Sequence, residues 1–335
     1  MSEQPKTPVA YGGQAVLEGV MMRGPHSWAV AVRRPDGQIW VETHPVRTLA
    51  DHKPIFRKPF LRGISVMADA LRIGMRSMSI SAQQSLPPEE RLSKKEFGGT
   101  IAISITMFIG IFIILPNVLS NIAGKGAKQV TVLASLKEAG IRLGIFVGYL
   151  LLLSMFKEIK RVFQYHGAEH QTIHAYEAKE AALTPDAVMK YPTEHVRCGT
   201  NFLIITVLLT IIVYSALDFM HGGRPAWWIQ ILERVIGIFV LAGVSYEFLR
   251  LGAAKGHNPI VRALMRPGIW LQKITTKRPE AAMVEVAVRS FEAVLPVEER
   301  GVVPNYGSVV LDGNDPDTIE FDQGPVAEDV PPPLD

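Results

Sequence analysis

Three histidines follow one another at four-residue spacing in this chain: His166, His170 and His174. Four residues make about one turn of an α-helix, so on a helix the three imidazoles lie along one face. Imidazoles aligned in this way commonly hold a transition metal. A straight helix places His166 and His174 on the order of 12 Å apart, too far for one ion with bonds of about 2 Å. The tract is therefore expected to supply one pair, 166/170 or 170/174, or to serve two metals.

The same tract fits the pattern H-x-x-E-H of the inverted zincins, with Glu169 between His166 and His170. In that pattern two histidines hold zinc and the glutamate acts as a base on the bound water, whose pKa the metal lowers to about 7. We therefore expect His166 and His170 to be ligands and Glu169 to be the base. Structural or solvated histidines and a haem ligand are the alternatives. Gly167 costs about 1 kcal/mol of helix stability, so the site is expected to begin on a bent first turn.

Five further residues are candidates for completing the ligand shell: His174, Glu177, His195, Cys198 and Glu247. Glu247 lies in an apolar run, where a carboxylate is costly and marks a functional site by default. The alternative for Glu247 is an ion pair with Arg250, one helical turn further on. A lone cysteine such as Cys198 is more often a small buried side chain than a ligand. The expected cofactor is a divalent metal, with zinc as the first choice.

A glycine-rich motif at 12–25 contains two charged residues, Glu18 and Arg23. The motif lacks the Gly-Lys-Ser/Thr ending of a phosphate-binding loop. Its glycines allow tight turns and close backbone packing. A loop that closes over the metal site is the functional interpretation, and close packing alone is the structural one.

Local patterns predict two elements between this motif and the apolar part of the chain. Two short apolar runs, 28–33 and 38–43, surround Pro35-Asp36-Gly37 and predict a β-hairpin. Segment 60–84 has apolar residues at three- and four-residue spacing, among them Leu71 and Met75. This spacing predicts an amphipathic helix that lies on the membrane or against a helical bundle.

Apolar runs at 98–119, 140–156, 201–219 and 235–252 are each near the length of about 20 residues that a hydrocarbon core requires. With 48% hydrophobic residues, the chain is more apolar than most soluble proteins, which indicates a multi-pass membrane protein. Lysines and arginines beside the runs place both termini and the 157–200 loop in the cytoplasm, at the inner membrane. The first residues lack the apolar stretch of a signal peptide, so insertion is expected to start from an internal helix.

The expected fold is mainly α, a four-helix transmembrane bundle with a small α/β N-terminal cytoplasmic region. The expected parts are the glycine-rich motif and hairpin at 1–59, the amphipathic helix at 60–97, the four-span domain with its cytoplasmic His-rich loop 157–200 at 98–253, a C-terminal cytoplasmic helical segment at 254–300, and a disordered acidic tail at 301–335. The lipid bilayer is the expected partner, and the tail or the amphipathic helix is the expected surface for any protein partner. The net charge of +3 is too small to indicate nucleic-acid binding, and the single cysteine excludes an intrachain disulfide.

Four stretches carry a family resemblance: 12–25, 165–177, 197–200 and 267–276. They resemble the YqhQ-like proteins, a bacterial family of unknown function, and the similarity extends over roughly residues 9–295. That family is commonly described as metal-dependent enzymes of the bacterial cytoplasmic membrane. The resemblance therefore implies a metal-dependent membrane enzyme, without a substrate.

Three hypotheses about function follow. The first is a zinc-dependent hydrolase acting on a peptide or amide bond near the membrane, with Glu169 as base and Glu247 or His174 completing the shell. The second is a non-catalytic membrane scaffold or biogenesis factor, with a structural metal or a polar histidine network. The third is a di-iron membrane oxidase, because histidine pairs at this spacing also serve iron, although such enzymes usually need more pairs.

Overall fold

The computed structural model describes residues 11–91, 93–116, 118–119, 132–221, 227–254 and 258–296. Within these ranges the chain is mainly helical, with a small antiparallel sheet near the N-terminus. The expected acidic tail at 301–335 lies outside the described residues, as do residues 1–10.

Four strands form the sheet: β1 Gly12–Val16, β2 Gly19–Arg23, β3 Ser27–Arg33 and β4 Ile39–Pro45, in the order β1-β2-β3-β4. The hairpin predicted around Pro35-Asp36-Gly37 is confirmed as β3–β4, in which Val32 pairs with Trp40. Gly37 adopts φ +85°, a conformation that glycine reaches without strain. The glycine-rich motif is a second hairpin, β1–β2, rather than a loop. Its two-residue turn contains Glu18, with φ +49°.

The helices of the described part are α1 Leu49–His52, α2 Leu61–Gln84, α3 Lys94–Ile109, α4 Val132–Leu153, α5 Lys157–Glu177, α6 Pro185–Val188, α7 Gly199–Met220, α8 Trp227–Ala254, α9 Pro259–Thr275 and α10 Ala281–Val294. A π-helical turn, Gly110–Ile114, follows α3. Helix α9 continues through Pro267. Helices α9 and α10 lie in the segment 254–300, which the sequence predicted to be helical.

The sheet is covered on both faces. Side chains alternate along each strand, so that Val20, Ala29 and Ala31 face one side while Val16, Val30 and Val32 face the other. The first side packs against α5 and α10, whose Tyr165 and Phe291 are fully buried. The second side packs against Ile73 of α2. Burial of both faces explains why β2 and β3 are almost continuously apolar.

The predicted amphipathic helix forms as α2, but its buried face differs from the predicted one. The buried residues are mostly small, including Gly63, Ser77 and Ser81, whereas Leu71 is 67% exposed and Met75 is 39% exposed. Small side chains let the helix approach its neighbours closely: a Cβ at Gly63 would lie 3.0 Å from Gly243 Cα in α8. Of the predicted apolar stripe, Leu71 and Met75 are therefore left on the outside of the molecule.

Two helical segments are long and apolar enough to cross a membrane, Lys95–Phe112 and Gly199–Leu217. The helical segments Ala139–Leu153 and Lys157–Glu177 meet at an angle of 98°. They add a third candidate span if the two together are counted as one broken span. The segment expected as the fourth span lies in α8, which is helical but is not among these candidates. Over the described ranges the structure therefore supports two or three candidate spans, which is fewer than the predicted bundle of four.

Candidate metal centre

The histidine tract lies on α5, which bends away from α4 at 98° and packs beneath the sheet. Helix α5 is continuous from Lys157 to Glu177, so the predicted bent first turn at Gly167 is wrong. A Cβ at Gly167 would lie 2.1 Å from the carbonyl oxygen of Lys277. Glycine therefore stands inside this helix because the backbone after α9 crosses it in close contact.

Two groups of side chains in the described ranges bring three potential ligand atoms within 4.8 Å of one another. The first, here called the His–Cys group, consists of His166, His170 and Cys198. The second, here called the His–Glu group, consists of His174, Glu177 and His195. The structure thus divides the tract between two clusters, as its length along the helix required. It also brings in Cys198 and His195, which the sequence had offered only as candidates.

In the His–Cys group, backbone carbonyls fix the orientation of both imidazoles. His166 donates from Nδ1 to the carbonyl of Thr275 over 2.9 Å, and its Nε2 lies 3.2 Å from Cys198 Sγ. His170 donates from Nδ1 to the carbonyl of Thr193 over 2.5 Å. A histidine whose Nδ1–H is held by a carbonyl presents the lone pair of Nε2, which is the usual arrangement around a metal ligand.

Burial sets the protonation of this group. Burial, reinforced by the neighbouring His166, holds the pKa of His170 well below its usual range, so its ring is neutral at neutral pH. Burial also raises the pKa of the Cys198 thiol, against the hydrogen bonds it accepts from Thr200. Cys198 is the N-cap of α7, where a helix favours negative charge. A cation at this position would compensate the cost of burying the thiolate.

Glu169 lies beside the His–Cys group with only 4% of its surface exposed. Burial raises its pKa to about 8, with a further contribution from Cys198, while His166 and a hydrogen bond from the Gly13 backbone act in the opposite direction. One carboxyl oxygen, Oε2, is buried and has no hydrogen-bond partner within the described part of the chain. A buried polar atom without a partner is costly, and a bound ion, water molecule or ligand is one way to satisfy it.

The glycine-rich motif contributes the wall against Glu169. Gly13 in β1 approaches so closely that a Cβ there would lie 2.9 Å from Glu169 Cδ and 2.6 Å from the carbonyl oxygen of Met21. The glycine-rich motif therefore lies against Glu169, next to the His–Cys group. It does so as two strands of the sheet and not as the loop that the sequence suggested.

The His–Glu group is a hydrogen-bonded network in which the charges are already paired. His174 donates from Nε2 to the carbonyl of Glu194 over 2.8 Å. The Nδ1 of His195 accepts from the Arg197 backbone N–H over 3.2 Å, so its proton lies on Nε2, 3.6 Å from Glu177. Arg197 forms an ion pair with Glu177. Burial raises the pKa of Glu177, but hydrogen bonds from His195 and Arg197 outweigh it and lower the pKa to about 2.

This pairing makes the second group a poor cation site. The guanidinium of Arg197 already neutralises the Glu177 carboxylate through Oε1, and the Nε2 of His195 lies 3.6 Å from Oε2 of the same carboxylate. An ion would have to displace both. Among the described residues no arginine or lysine forms an ion pair with the His–Cys group, so it is the better candidate of the two for a metal.

Two fully buried amide side chains, those of Gln272 and Asn201, hold the backbone of residues 195–196, which directly follows the carbonyls of Thr193 and Glu194. Gln272 in α9 accepts from the His195 backbone N–H over 2.7 Å and donates to the His195 carbonyl over 2.9 Å. Asn201 in α7 donates to the Val196 carbonyl over 2.7 Å and accepts from Gln272 over 3.2 Å. Sequence reasoning gave neither amide a role, although Gln272 lies in one of the stretches that carried the family resemblance.

Three other predicted site residues lie elsewhere. Glu247, expected to complete the shell, belongs to neither group and instead forms an ion pair with Arg62 of α2. Glu18 accepts from Arg161 over 2.6 Å and so ties the β1–β2 turn to α5. Arg23 ends β2, where it pairs in register with Gly12, and belongs to neither group.

Comparison with known proteins supports the resemblance noted in the sequence. A family model described as "Protein of unknown function (DUF1385)" matches residues 58–297. The chain is 35% identical over 307 residues to "Uncharacterized protein YqhQ" of Bacillus subtilis (strain 168). The aligned region covers 88% of this chain and 94% of that protein. No solved structure matches the chain. The chain therefore belongs to the DUF1385 family of proteins of unknown function and is YqhQ-like.

Proposed function

We propose that this protein is a zinc-dependent hydrolase that acts at the cytoplasmic face of the inner membrane on a peptide or amide bond. His166, His170 and Cys198 would hold the ion, and Glu169 would move the proton. The observation that carries the proposal is the buried Glu169 carboxyl, with one oxygen unpartnered among the described residues, beside three converging ligand atoms.

The donor set fits zinc. Imidazole and thiolate are the ligands that Zn²⁺ prefers, and three protein ligands are typical of sites that keep a position open for chemistry. Two ligands of one zinc ion lie roughly 3–4 Å apart, and the Nε2 of His166 lies 3.2 Å from Cys198 Sγ. When bound, zinc would polarise the scissile carbonyl and acidify a water molecule.

The residues of the chain supply the remaining functions. The carboxylate form of Glu169, which a bound cation would favour, takes a proton from the attacking water and returns it to the leaving amine. The water oxygen joins the carbonyl carbon as the C–N bond breaks. The carbonyls of Thr275 and Thr193 keep the two imidazoles directed at the site. Gly13 and the sheet limit access of bulk water to Glu169.

The membrane context extends the proposal. The described surface of α3 is strongly apolar and exposed, with Ile103 at 64% and Phe108 at 58%, as expected for a helix that faces lipid. We include 235–252 of α8 as a further span, which gives four spans with both termini and the 157–200 segment in the cytoplasm. Cys198 immediately precedes the candidate span in α7, so the site would lie at the bilayer surface. Its substrate would then be reached from the membrane.

Two measurements test the proposal. Elemental analysis of the purified full-length protein should find about one zinc per chain in the wild type and in Glu169→Gln, because Glu169 is not counted among the ligands. Wild-type protein should also introduce oxygen from H₂¹⁸O into carboxyl products when it is incubated with solubilised bacterial membranes, and Glu169→Gln should not. Absence of stoichiometric metal, or ¹⁸O incorporation that is equal in the two proteins, would overturn the proposal.

A second candidate is a scaffold or biogenesis factor that binds a protein partner through α2 or the acidic tail, with a structural metal. The imidazole contacts favour it, because His166, His170 and His174 each bind a backbone carbonyl of another segment and so join α5 to residues 193–194 and to α9. The variant Glu169→Gln separates the two functions. A scaffold should keep its metal and its cellular role in this variant, whereas a hydrolase should keep only the metal.

A further inference from the structure

A second feature of the molecule lies on the opposite side of the sheet from α5. A cavity of about 140 Å³ opens between the β3–β4 hairpin and α2. Three arginines line it, Arg47, Arg72 and Arg76, together with His44 and Trp28. None of these residues belongs to the His–Cys or the His–Glu group. The cavity is therefore a distinct site with a strongly cationic lining.

The walls of the cavity are held by specific contacts. The ring of His44 stacks on Trp28 with centroids 4.4 Å apart, and both side chains are buried. Arg72 donates from Nη2 to the carbonyl of Arg47 over 2.6 Å, which ties α2 to the segment after β4. The guanidinium of Arg76 lies 6.0 Å from the centre of the Trp28 ring. These contacts gather the three arginines around one space.

His44 supplies an independent indication of a ligand. It lines the cavity, is 1% exposed, and its Nε2 lies 2.7 Å from a Glu42 carboxyl oxygen. Both ring nitrogens are buried, and neither makes a hydrogen bond in the ranges that the structure describes. With the ring proton placed on Nε2, the nitrogen beside the Glu42 carboxylate, Nδ1 is an acceptor without a partner among the described residues. The cavity therefore offers guanidinium donors together with one buried acceptor.

This combination selects among anions. Guanidinium groups bind oxyanions through paired N–H donors. The acceptor on His44 is satisfied only by an anion that also carries an O–H group. Inorganic phosphate and phosphate monoesters have a second pKa of about 6–7, so their monoanions carry an O–H that the site can select, whereas sulfate and phosphate diesters have none near neutral pH.

The size of the cavity limits what can enter it. Pockets for whole small-molecule ligands measure roughly 300–1,000 Å³, so 140 Å³ has room for one tetrahedral group but not for a nucleotide. The remainder of any ligand must lie outside, where Leu71 and Met75 are exposed beside the two arginines of α2.

We propose that this cavity is a binding site for a phosphate group, in the form of inorganic phosphate or a phosphate monoester. Arg47, Arg72 and Arg76 bind its anionic oxygens, and His44 Nδ1 accepts its O–H. The same chemistry is available from a soluble phosphate or from the headgroup of phosphatidic acid. The apolar residues beside the arginines are compatible with a lipid chain.

Calorimetric titration of the full-length protein in detergent with inorganic phosphate tests the site. Saturable binding is expected for the wild type, weakened about tenfold or more in Arg76→Ala, since a hydrogen bond between charged groups is lost. Lys190→Ala removes the same charge from an exposed residue outside the cavity and should leave affinity within about twofold. Sulfate should bind at least tenfold more weakly than phosphate. No saturable phosphate binding, equal affinity for sulfate, or equal affinity in Arg76→Ala would overturn the proposal.

A second measurement needs no variant and identifies the source of the phosphate. Phenylglyoxal labels accessible arginines, and mass spectrometry of the wild type should show slower labelling of Arg72 and Arg76 when the site is filled. Protection by inorganic phosphate alone indicates a soluble ligand. Protection by vesicles containing phosphatidic acid, and not by phosphatidylcholine vesicles, indicates the lipid. Labelling that is unchanged by both phosphate and phosphatidic acid would overturn the assignment.

Discussion

Replacement of Cys198 by serine tests which of the two groups holds the metal. Serine has nearly the same shape and is a favoured N-cap residue, so it can accept from the Thr200 backbone N–H as Cys198 does over 3.4 Å. The start of α7 should therefore be preserved. The substitution removes the thiolate, one of three ligand atoms in the His–Cys group.

The expected loss of affinity follows from the ligand count. Structural zinc sites with four ligands bind with about 10–16 kcal/mol, or about 2.5–4 kcal/mol for each ligand. Because about 1.4 kcal/mol corresponds to a tenfold change, Cys198→Ser should weaken zinc binding by about 10²–10³-fold. Glu177→Gln alters the His–Glu group instead and should change zinc affinity by less than about threefold, since Arg197 already pairs with that carboxylate.

Competition with a chromophoric zinc chelator gives the two affinities on purified protein. Substitution of Co²⁺ adds a spectroscopic check, because a thiolate-to-cobalt charge-transfer band should be present in the wild type and in Glu177→Gln and absent in Cys198→Ser. Thermal unfolding of the metal-free proteins serves as the control for folding. Wild-type zinc affinity in Cys198→Ser, or a larger loss in Glu177→Gln, would refute the assignment of the metal to the His–Cys group.

Three further predictions concern the residues that position the site. Gly167→Ala should lower the thermal midpoint of unfolding by several degrees although alanine favours helices, because its Cβ would lie 2.1 Å from the Lys277 carbonyl oxygen. Gly148→Ala is the control and should not lower it, since a Cβ there would have no described atom beyond its own helix backbone within 4 Å. Gln272→Leu should lower the free energy of unfolding by about 3 kcal/mol, measured by denaturant titration, because the backbone N–H and carbonyl of His195 lose their buried partner. Glu247→Gln should leave the zinc content unchanged in elemental analysis and cost about 1 kcal/mol of stability through the lost pair with Arg62; loss of zinc would restore Glu247 as a ligand.

Local sequence patterns predicted helices and strands well where the spacing of the residues matches a single type of secondary structure. Helix α5 and the β3–β4 hairpin followed from helical spacing and turn chemistry that involve only neighbouring residues. The same reasoning misjudged α2, because the residues that pack closely there are small and not apolar. It also read Gly167 as a defect, since the contact that requires glycine comes from Lys277, more than 100 residues further along the chain.

The spacing of the histidines by itself determined that they share a helix face and cannot all bind one ion, because the rise per residue is a fixed property of the helix. Only the tertiary structure decided which distant side chains meet them. Cys198 and His195 reach the tract through the packing of α7 and α9, and Glu247 pairs with Arg62 instead. The packing of α10 against the sheet could not be predicted from the sequence either. The residue pattern of a buried helix does not indicate which distant element it packs against. Which atoms converge on a site depends on long-range packing, and one sequence read locally does not contain that information.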